Sequence, residues 1–195
     1  MHIIVAAAVV ASCYLLGTFP TALVVGRARG LDPTSAGSGN PGASNVYRLA
    51  GRRAGLVVAL VDVAKGAAAA GLGLALDGRV LGLSCGLAAV VGHILPVTRP
   101  GRGGKGVATS AGMALVLWPL VGLAAAVTFG VVARLTRVAA IGSLVACVVV
   151  VAGVGVVTTS MTEVAFAAAL AILVITRHRA NVSRLLRRVE HRLPG

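Results

Sequence analysis

Aromatic and charged residues are scarce in this chain of 195 residues, where they make up 3% and 12% of the sequence. Soluble domains carry about 25% charged residues, so the low charge excludes an ordinary soluble domain. Belts of Trp and Tyr often mark membrane interfaces, and too few aromatic residues are present for such belts to locate them here. Acidic residues are the rarest charged type, five against 18 Lys and Arg, which gives a net charge of +13.

Several kinds of catalytic site are missing from the sequence. Cys13, Cys85 and Cys147 all fall within apolar runs and have neither metal-binding nor disulfide spacing, as expected of small buried side chains. No acidic pair is placed for metal catalysis, and no Ser-His-Asp or Cys–His arrangement occurs. We therefore expect no metal and no cofactor. The basic residues are scattered over short loops, which argues against a nucleic-acid partner.

Long apolar runs are the main feature that is present. Hydrophobic residues make up 57% of the chain, and the mean hydropathy is +0.96. A helix needs about 20 apolar residues to cross the hydrocarbon core of a bilayer, so these runs predict an all-α polytopic membrane protein. The runs are 3–26, 54–76, 80–98, 107–133, 138–157 and 164–176.

The basic residues predict which side of the membrane each loop occupies. All of them except Arg79 and Lys65 fall in the loops 27–53, 99–106 and 134–137 or in the C-terminal tail. Lys and Arg next to spans mark the cytoplasmic side. This rule predicts an N-terminus outside and a C-terminus in the cytoplasm, with membrane lipids as partners through their anionic headgroups.

The run 107–133 must cross the membrane twice for the charges of the later loops to agree with this rule. It is short for two full spans, but Trp118-Pro119 lies near its midpoint, and proline breaks or kinks a helix. We therefore predict a short broken helix pair around Pro119 and seven transmembrane helices in a single domain, residues 1–195. The alternative is one long, kinked and tilted helix.

Three polar segments then share the cytoplasmic face, and the first is 37-GSGNPGASNVYR-48. Its glycines permit positive φ and close backbone approach. Successive backbone N–H groups in such a loop can bind an anion, and a glycine loop before a helix N-terminus suits phosphate. Arg48 and Arg52 lie four residues apart at the start of the next helix, so they are expected on one face. The alternative is an ordinary surface loop.

The second polar segment, 101-GRGGKGVATS-110, is again rich in glycine and opens a helix. It is similar to a nucleotide-binding loop but lacks the G-x-x-x-x-G-K-[ST] spacing, because Gly106 follows Lys105, and no strand is expected before it. These features predict a phosphate cradle without ATPase chemistry. The alternative is a loop whose charge only marks the cytoplasmic side.

The third polar segment, 177-RHRANVSRLLRRVEHR-192, places His178 and Asn181 three residues apart and therefore on one helix face. The alternative is a basic interfacial helix bound to anionic lipid. Within the spans, Asp62 and Lys65 are also three residues apart and are expected to form a structural pair.

His93, in 92-GHILP-96, comes just before the second glycine loop. It either supports that loop or touches substrate, and the sequence does not rank these two possibilities.

The sequence closely resembles the bacterial membrane-integral, acyl-phosphate-dependent glycerol-3-phosphate acyltransferases. The resemblance covers nearly the whole chain, and several separate motifs in the family's order make it more specific than any one of them. The motifs are 17-GTFP-20, 37-GSGNPGASNVYR-48, 51-GRRAG-55, 62-DVAKG-66, 92-GHILP-96, 103-GGKGVAT-109 and 177-RHRANVSRLL-186 with Glu190.

The resemblance implies a seven-helix protein of the bacterial inner membrane whose active site faces the cytoplasm. The implied reaction moves a fatty acyl group from acyl phosphate to the 1-hydroxyl of sn-glycerol 3-phosphate. It yields lysophosphatidic acid and phosphate, the first step of phospholipid synthesis, and uses neither acyl-CoA nor acyl carrier protein. A functional link to the enzyme that produces acyl phosphate is implied as well.

The resemblance also implies roles for matching positions. Ser38, Arg48, Lys105 and His178 are the implied catalytic residues, and Arg48 and Lys105 supply charge to the phosphates and to the oxyanion. The hydroxyl proton passes either to a phosphate oxygen of the substrate or to His178 as general base. The implied substrate-binding residues are Gly39, Asn40, Gly42, Ser44, Asn45, Arg52, Gly103, Gly104, Ser143 and Asn181.

Two readings from other classes stand beside the enzyme. The first is a membrane transporter or binder of phosphorylated anions, in which basic loops and half-helices also meet anions. A transporter of that kind predicts paired broken helices in inverted repeats, and the sequence shows no such repeat. The second is a lipid-binding scaffold without catalytic activity.

Overall fold

A computed structural model describes residues 1–194 of the chain. Within that range the chain forms eight α-helices and no β-strand, which confirms the all-α prediction. The chain divides into two compact units, Met1–Leu117 and Trp118–Gly195, so the single domain stays a prediction. The helices are α1 (Ile3–Gly17), α2 (Thr21–Arg27), α3 (Ala43–Ile94), α4 (Val107–Leu117), α5 (Pro119–Thr136), α6 (Ala139–Val157), α7 (Met161–Arg177) and α8 (Arg179–Leu186).

The helices have the length and composition of a multi-pass membrane protein. Among the described residues, four helical stretches are long and apolar enough to cross a membrane, namely Ile3–Arg27, Ala43–Ile94, Pro119–Thr136 and Ala139–Val157. The pair α7 and α8, bent by 54°, would make a fifth, and α4 is a shorter apolar helix. The number of seven spans and the sides of the two termini stay predictions.

In the first unit, the apolar stretch at the N-terminus is broken between α1 and α2. The predicted apolar run over 3–26 coincides with the candidate span Ile3–Arg27, but its helix is interrupted at 18-TFP-20, which the sequence did not predict. Pro20 has φ −87° and ψ 59°, outside the helical region, and proline also lacks the backbone N–H that a continuous helix would need. The break leaves backbone carbonyls at the end of α1 without helical donors.

Helix α3 contains two arms that run in opposite directions. Its 52 residues would extend about 78 Å if straight, far more than one bilayer crossing. The chain reverses at Asp77 and Gly78, and Gly78 has φ 74°, which favours glycine because it has no Cβ. The arms then pack closely, since a Cβ built on Gly73 would lie 2.5 Å from the carbonyl oxygen of Leu81. The arms correspond to the predicted runs 54–76 and 80–98.

Small residues let α4 lie directly on the first arm of α3. A Cβ on Gly66 would overlap the carbonyl oxygen of Thr109, and one on Gly112 would overlap that of Val63. Close approach of backbones at small residues is the usual way in which helices associate in lipid. A core cluster joins α1 to both arms of α3, and its buried members are Cys13, Ala69, Leu81, Cys85 and Ala89.

The predicted break near Pro119 is present. Helix α4 ends at Leu117, Trp118 takes non-helical angles of φ −137° and ψ 71°, and Pro119 is the first residue of α5. Proline suits that first position because the N–H it lacks has no partner within a helix. A broken segment is therefore confirmed, and its insertion as a membrane hairpin stays a prediction.

Polar contacts define the two ends of the second unit. The indole Nε1 of Trp118 donates to Oε2 of Glu163 at 2.5 Å, which joins the start of α5 to the start of α7. At the other end, the backbone N–H of Leu193 donates to the carbonyl oxygen of Arg137 at 2.7 Å. The C-terminal tail and the loop 134–137 therefore lie at the same end of this unit, as their positive charges required.

Candidate active site

The first glycine loop is organised around the side chain of Asn45, which is 1% exposed. Its Nδ2 donates to the carbonyl oxygens of Pro33 at 2.9 Å and Ala36 at 3.0 Å. Its Oδ1 accepts from the backbone N–H of Ser38 at 2.9 Å. The predicted binding residue Asn45 thus uses its amide to hold the loop in shape, as buried polar groups require.

Ser38 and Arg48, both expected to be catalytic residues, are in contact at this loop. Nη2 of Arg48 donates to Oγ of Ser38 at 3.2 Å and to Oδ1 of Asn45 at 3.4 Å. Both side chains are partly buried. A guanidinium held in this way presents a fixed positive charge beside a hydroxyl group.

The remaining residues of the first loop lead into the N-terminus of α3. Gly39 has φ 68°, Asn40 follows it, Gly42 is the N-cap, and Ser44 is in the first turn. The first N–H groups of a helix have no partner within it, and the helix dipole is positive there. The loop and the helix start therefore form a surface suited to an anion.

The expectation that Arg48 and Arg52 share one helix face is wrong. Gly51, between them, has φ 83° and ψ 173°, which breaks the helical repeat of α3. The spacing of four residues therefore does not bring the two side chains onto one face. Arg52 is exposed, whereas Arg48 is partly buried.

The second glycine loop lies between α3 and α4, and no strand precedes it among the described residues. Gly103 and Gly104 are buried and Lys105 is partly buried. The backbone N–H of Gly104 donates to the carbonyl oxygen of His93 at 3.0 Å, and Nη2 of Arg99 donates to the carbonyl oxygen of Thr18 at 2.5 Å. Burial, and then the nearby charge of Arg27, lower the pKa of Arg99 from its usual value.

Both glycine loops border one recess of the first unit. The enclosed volume of the recess is small, about 10 Å³. The first loop contributes Pro41 to its wall, and the second contributes Gly103 and Gly104 with the cations Arg99 and Arg102. One residue of the first loop and two glycines of the second thus line the same recess, together with Asp62 and His93.

His178, Asn181 and Ser143 belong to the second unit. His178 lies at the bend between α7 and α8 and is 2% exposed. Its Nδ1 lies 2.8 Å from the carbonyl oxygen of Val174. A ring nitrogen beside a carbonyl must carry the proton, so in a neutral ring Nε2 holds the lone pair. Ser143 is buried in α6, and its Oγ donates to the carbonyl oxygen of Ala139 at 2.9 Å.

Glu190 is a residue to which the sequence pattern assigned no role. Its Oε1 accepts from Nδ2 of Asn181 at 3.0 Å, and its Oε2 pairs with Nε of Arg184 at 3.0 Å. Helix α8 ends at Leu186, and the chain then folds back toward it. An isolated acid in a strongly basic tail was the available signal that an ion pair forms here.

Comparison with known proteins agrees with this architecture. The sequence pattern of the family described as glycerol-3-phosphate acyltransferase matches residues 7–188. A glycerol-3-phosphate acyltransferase of Myxococcus xanthus (strain DK1622) is 44% identical over 183 residues, which are 92% of this chain and 95% of the relative. One from Bacillus cytotoxicus is 40% identical over 178 residues, or 91% of this chain and 89% of the relative.

The fold is similar to that of a solved membrane enzyme. The glycerol 3-phosphate form of PlsY (YgiH), an integral membrane glycerol 3-phosphate acyltransferase, has a TM-score of 0.92 and 32% identity, over 97% of this chain and 96% of that one. The lysophosphatidic acid form has a TM-score of 0.89 and 33% identity, over 96% and 94% of the two chains.

The fold and the two glycine loops thus place this chain in a class of integral membrane acyltransferases. The chain belongs to the glycerol-3-phosphate acyltransferase family. It is a multi-pass membrane protein, as its apolar helices indicate.

Proposed function

We propose that this protein transfers a fatty acyl group from acyl phosphate to the 1-hydroxyl of sn-glycerol 3-phosphate, giving lysophosphatidic acid and phosphate. The observation that carries the proposal is the recess bordered by both glycine loops, next to a loop in which Arg48 contacts the hydroxyl of Ser38. Family membership supports the proposal, as do the glycerol 3-phosphate form and the lysophosphatidic acid form of the similar PlsY structure.

The first loop holds the phosphate of the acyl donor in this proposal. The N–H groups at the start of α3 can bind an anion without a charged side chain, whereas the N–H groups of Ser38, Gly39 and Gly42 donate within the loop and fix its shape. Ser38 and Arg48 are the catalytic residues on this loop, and Lys105 adds charge from the second loop. Asn45 supports the loop from behind. The residues that line the donor phosphate are Gly39, Asn40, Gly42, Ser44, Gly103 and Gly104.

The acceptor is oriented by a different set of residues. The family resemblance assigns Arg52, Ser143, His178 and Asn181 to glycerol 3-phosphate, and Glu190 keeps the amide of Asn181 in place. Productive transfer requires the acceptor hydroxyl to lie within about 3.5 Å of the carbonyl carbon of the donor.

The chemistry needs little beyond positioning and charge, because an acyl phosphate is already activated. The 1-hydroxyl oxygen attacks the carbonyl carbon and forms a tetrahedral oxyanion, which Arg48 and Lys105 stabilise. The bond between the carbonyl carbon and the bridging oxygen then breaks, and inorganic phosphate leaves. A phosphate oxygen of the donor takes the hydroxyl proton, so no covalent enzyme intermediate forms.

His178 is the competing general base. The contact of its Nδ1 with the carbonyl of Val174 leaves Nε2 as the nitrogen able to accept a proton. A His178→Ala variant with full activity would remove this alternative, whereas a trapped acyl-enzyme would exclude the substrate-assisted route.

The same proposal places the protein in the bacterial inner membrane with seven spans. The N-terminus lies outside, and the active site and the C-terminus face the cytoplasm, where the enzyme that produces acyl phosphate supplies the donor. Two contacts support this placement. The N-terminal amino group pairs with Asp77 at 3.4 Å, which joins two segments predicted outside. Leu193 bonds to Arg137, which joins two segments predicted inside.

The test follows the oxygen atoms. Purified protein is given palmitoyl phosphate with ¹⁸O at the bridging position and labelled glycerol 3-phosphate, with palmitoyl-CoA as the matched donor control. We expect lysophosphatidic acid when palmitoyl phosphate is the donor and none when palmitoyl-CoA is the donor. One inorganic phosphate should be released per lysophosphatidic acid formed, and mass spectrometry should find all of the ¹⁸O in that phosphate. Turnover with palmitoyl-CoA but not with palmitoyl phosphate would refute the proposal that acyl phosphate is the donor. Phosphate flux in liposomes without lysophosphatidic acid would instead favour the transporter.

A further inference from the structure

A buried ion pair lies in the first unit, and one of its members, Asp62, lines the recess that Gly103 and Gly104 also border. Nζ of Lys65 and Oδ1 of Asp62 are 2.8 Å apart, and their side chains are only 4% and 3% exposed. Two charges taken out of water are costly unless every remaining hydrogen-bonding position is also satisfied. The pair therefore needs further polar partners at close range.

The break between α1 and α2 supplies those partners. Nζ of Lys65 donates to the carbonyl oxygen of Phe19 at 3.0 Å and lies 3.5 Å from that of Gly17. The hydroxyl of Thr21 donates to Oδ1 of Asp62 at 2.9 Å. The motif 17-GTFP-20 thus has a physical reason, because only a helix opened at this point exposes carbonyls to a buried ammonium group.

His93 connects this pair to the second glycine loop. Its Nδ1 lies 3.5 Å from Nζ of Lys65 and 3.8 Å from Oδ1 of Asp62. On the opposite edge of the ring, Nε2 faces Gly104 so closely that a Cβ there would overlap it. The carbonyl of His93 also accepts from the N–H of Gly104 at 3.0 Å. The ring is therefore held between the ion pair and the loop.

The turn that follows His93 is fixed to α1 as well. The hydroxyl of Tyr14 donates to the carbonyl oxygen of Leu95 at 2.8 Å and accepts from the N–H of Val97 at 3.0 Å. Arg99 reaches the carbonyl of Thr18 from the far side of the turn. Every polar support of the second loop named so far leads back to the end of α1 or to the ion pair.

We propose that Asp62 and Lys65 are positioning residues, which act through His93 to set the geometry of the 103-GGK-105 loop. They do not touch the reacting atoms. His93 supports the loop, which decides between the two roles that the sequence left open. The link to catalysis rests on the proposed function, because it assumes that this loop holds a substrate phosphate. A displacement of about 1 Å in such a loop can cost about 100-fold in rate.

The test neutralises the pair without leaving a single buried charge. Asp62→Asn combined with Lys65→Met keeps similar volume, and exchanges of this kind often leave a protein folded. Glu163→Gln is the matched control, since it also removes a partly buried carboxylate from a short hydrogen bond, the one to Trp118 in the second unit.

The first readout does not depend on activity. Trypsin cuts after Arg102 and Lys105, and cleavage after Arg27 in the same digest serves as the internal reference. We expect the double variant to be cut in the 99–106 loop about fivefold faster than wild type, because weaker support lets the loop open more often. Glu163→Gln should match wild type. An unchanged cleavage ratio in the double variant would overturn the proposal.

The second readout is kinetic, and it separates positioning from general loss of structure. We expect kcat/KM to fall about 10- to 100-fold, with a raised KM for acyl phosphate and a melting temperature near that of wild type. In a His93→Ala background, the double exchange should add less than twofold, because the linkage runs through His93. Independent, multiplicative effects would contradict that linkage.

The two readouts also distinguish the failure of each proposal. Wild-type protein that makes no lysophosphatidic acid, with loop cleavage still faster in the double variant, would remove the proposed function and leave the loop support intact. Lysophosphatidic acid formed by wild-type protein, with unchanged loop cleavage and unchanged KM in the double variant, would keep the proposed function and refute the loop support.

Discussion

Asn45, in the first turn of α3, contacts the backbone of Ser38 in the first loop, yet the two side chains have different roles. The amide of Asn45 holds two backbone carbonyls and one N–H, and it is almost fully buried. The hydroxyl of Ser38 accepts from Arg48 at the edge of the loop. Asn45 therefore shapes the phosphate cradle, while Ser38 is placed to meet a ligand.

This difference predicts opposite results for two alanine variants. Asn45→Ala leaves buried carbonyls unsatisfied and should lower the stability of the protein by about 1–3 kcal/mol, with activity lost as a consequence. Ser38→Ala should leave the melting temperature near wild type and lower kcat about 100-fold or more, as removal of one donor to a developing charge does. Thermal unfolding and initial rates of the two purified variants check this. Full activity in Ser38→Ala would refute its role.

At the residue scale, the sequence was a better guide to which residues gather at the first loop than to the contacts that each side chain makes. Ser38 and Arg48 were expected in one cradle and do meet. The expectation that Arg48 and Arg52 share a helix face was wrong because Gly51 leaves the helical region. The presence of a glycine permits such a break, but the sequence does not show whether the break occurs. Glu190 was left without a role because its partners, Asn181 and Arg184, meet it only after the chain reverses beyond α8.

Helix α3 shows what small residues do at the scale of an element. Gly66 faces α4 so closely that a Cβ would overlap the carbonyl oxygen of Thr109, whereas a Cβ on Gly71 would meet no atom within 4 Å beyond the local backbone of its own helix. Both are interior residues of the same helix. Glycine therefore has the same conformational-entropy cost at both positions, but the two positions differ in how closely other atoms pack against them.

The two glycines form a matched pair for mutation. Gly66→Ala should destabilise the protein by about 1–3 kcal/mol, because the α3–α4 contact must open to admit a methyl group. Gly71→Ala should stabilise it by about 0.5–1 kcal/mol, because alanine loses less conformational entropy on entering a helix. Thermal unfolding in detergent gives the order of the two variants relative to wild type. Equal melting temperatures would mean that α4 does not lie against Gly66.

The elements themselves were partly predictable. Apolar runs located the helices, and Pro119 located the break after α4. The interruption between α1 and α2 was missed, because its reason is the buried pair of Asp62 and Lys65, more than 40 residues further along. Local patterns carry no information on such distant partners, so a break that serves them is visible only in the fold.

The whole molecule is organised by charge as well as by hydropathy. With only five acidic residues, almost every loop with basic residues was assigned to one side by count alone. Contacts within each unit agree with that count, since Met1 meets Asp77 and Leu193 meets Arg137. The count of loop charges could not predict the length of each helix. Helix α3 continues through a chain reversal, and α4 is shorter than a full span.

The central claim is that acyl phosphate and glycerol 3-phosphate react at the basic, cytoplasmic face of the molecule. Sealed membrane vesicles of both orientations test it most directly, because glycerol 3-phosphate does not cross a bilayer unaided. Vesicles from cells expressing this chain receive palmitoyl phosphate and external labelled glycerol 3-phosphate, and vesicles carrying Ser38→Ala give the background. We predict lysophosphatidic acid in inverted vesicles, and in right-side-out vesicles only after detergent opens them. Product in intact right-side-out vesicles, or none in either kind, would contradict the account.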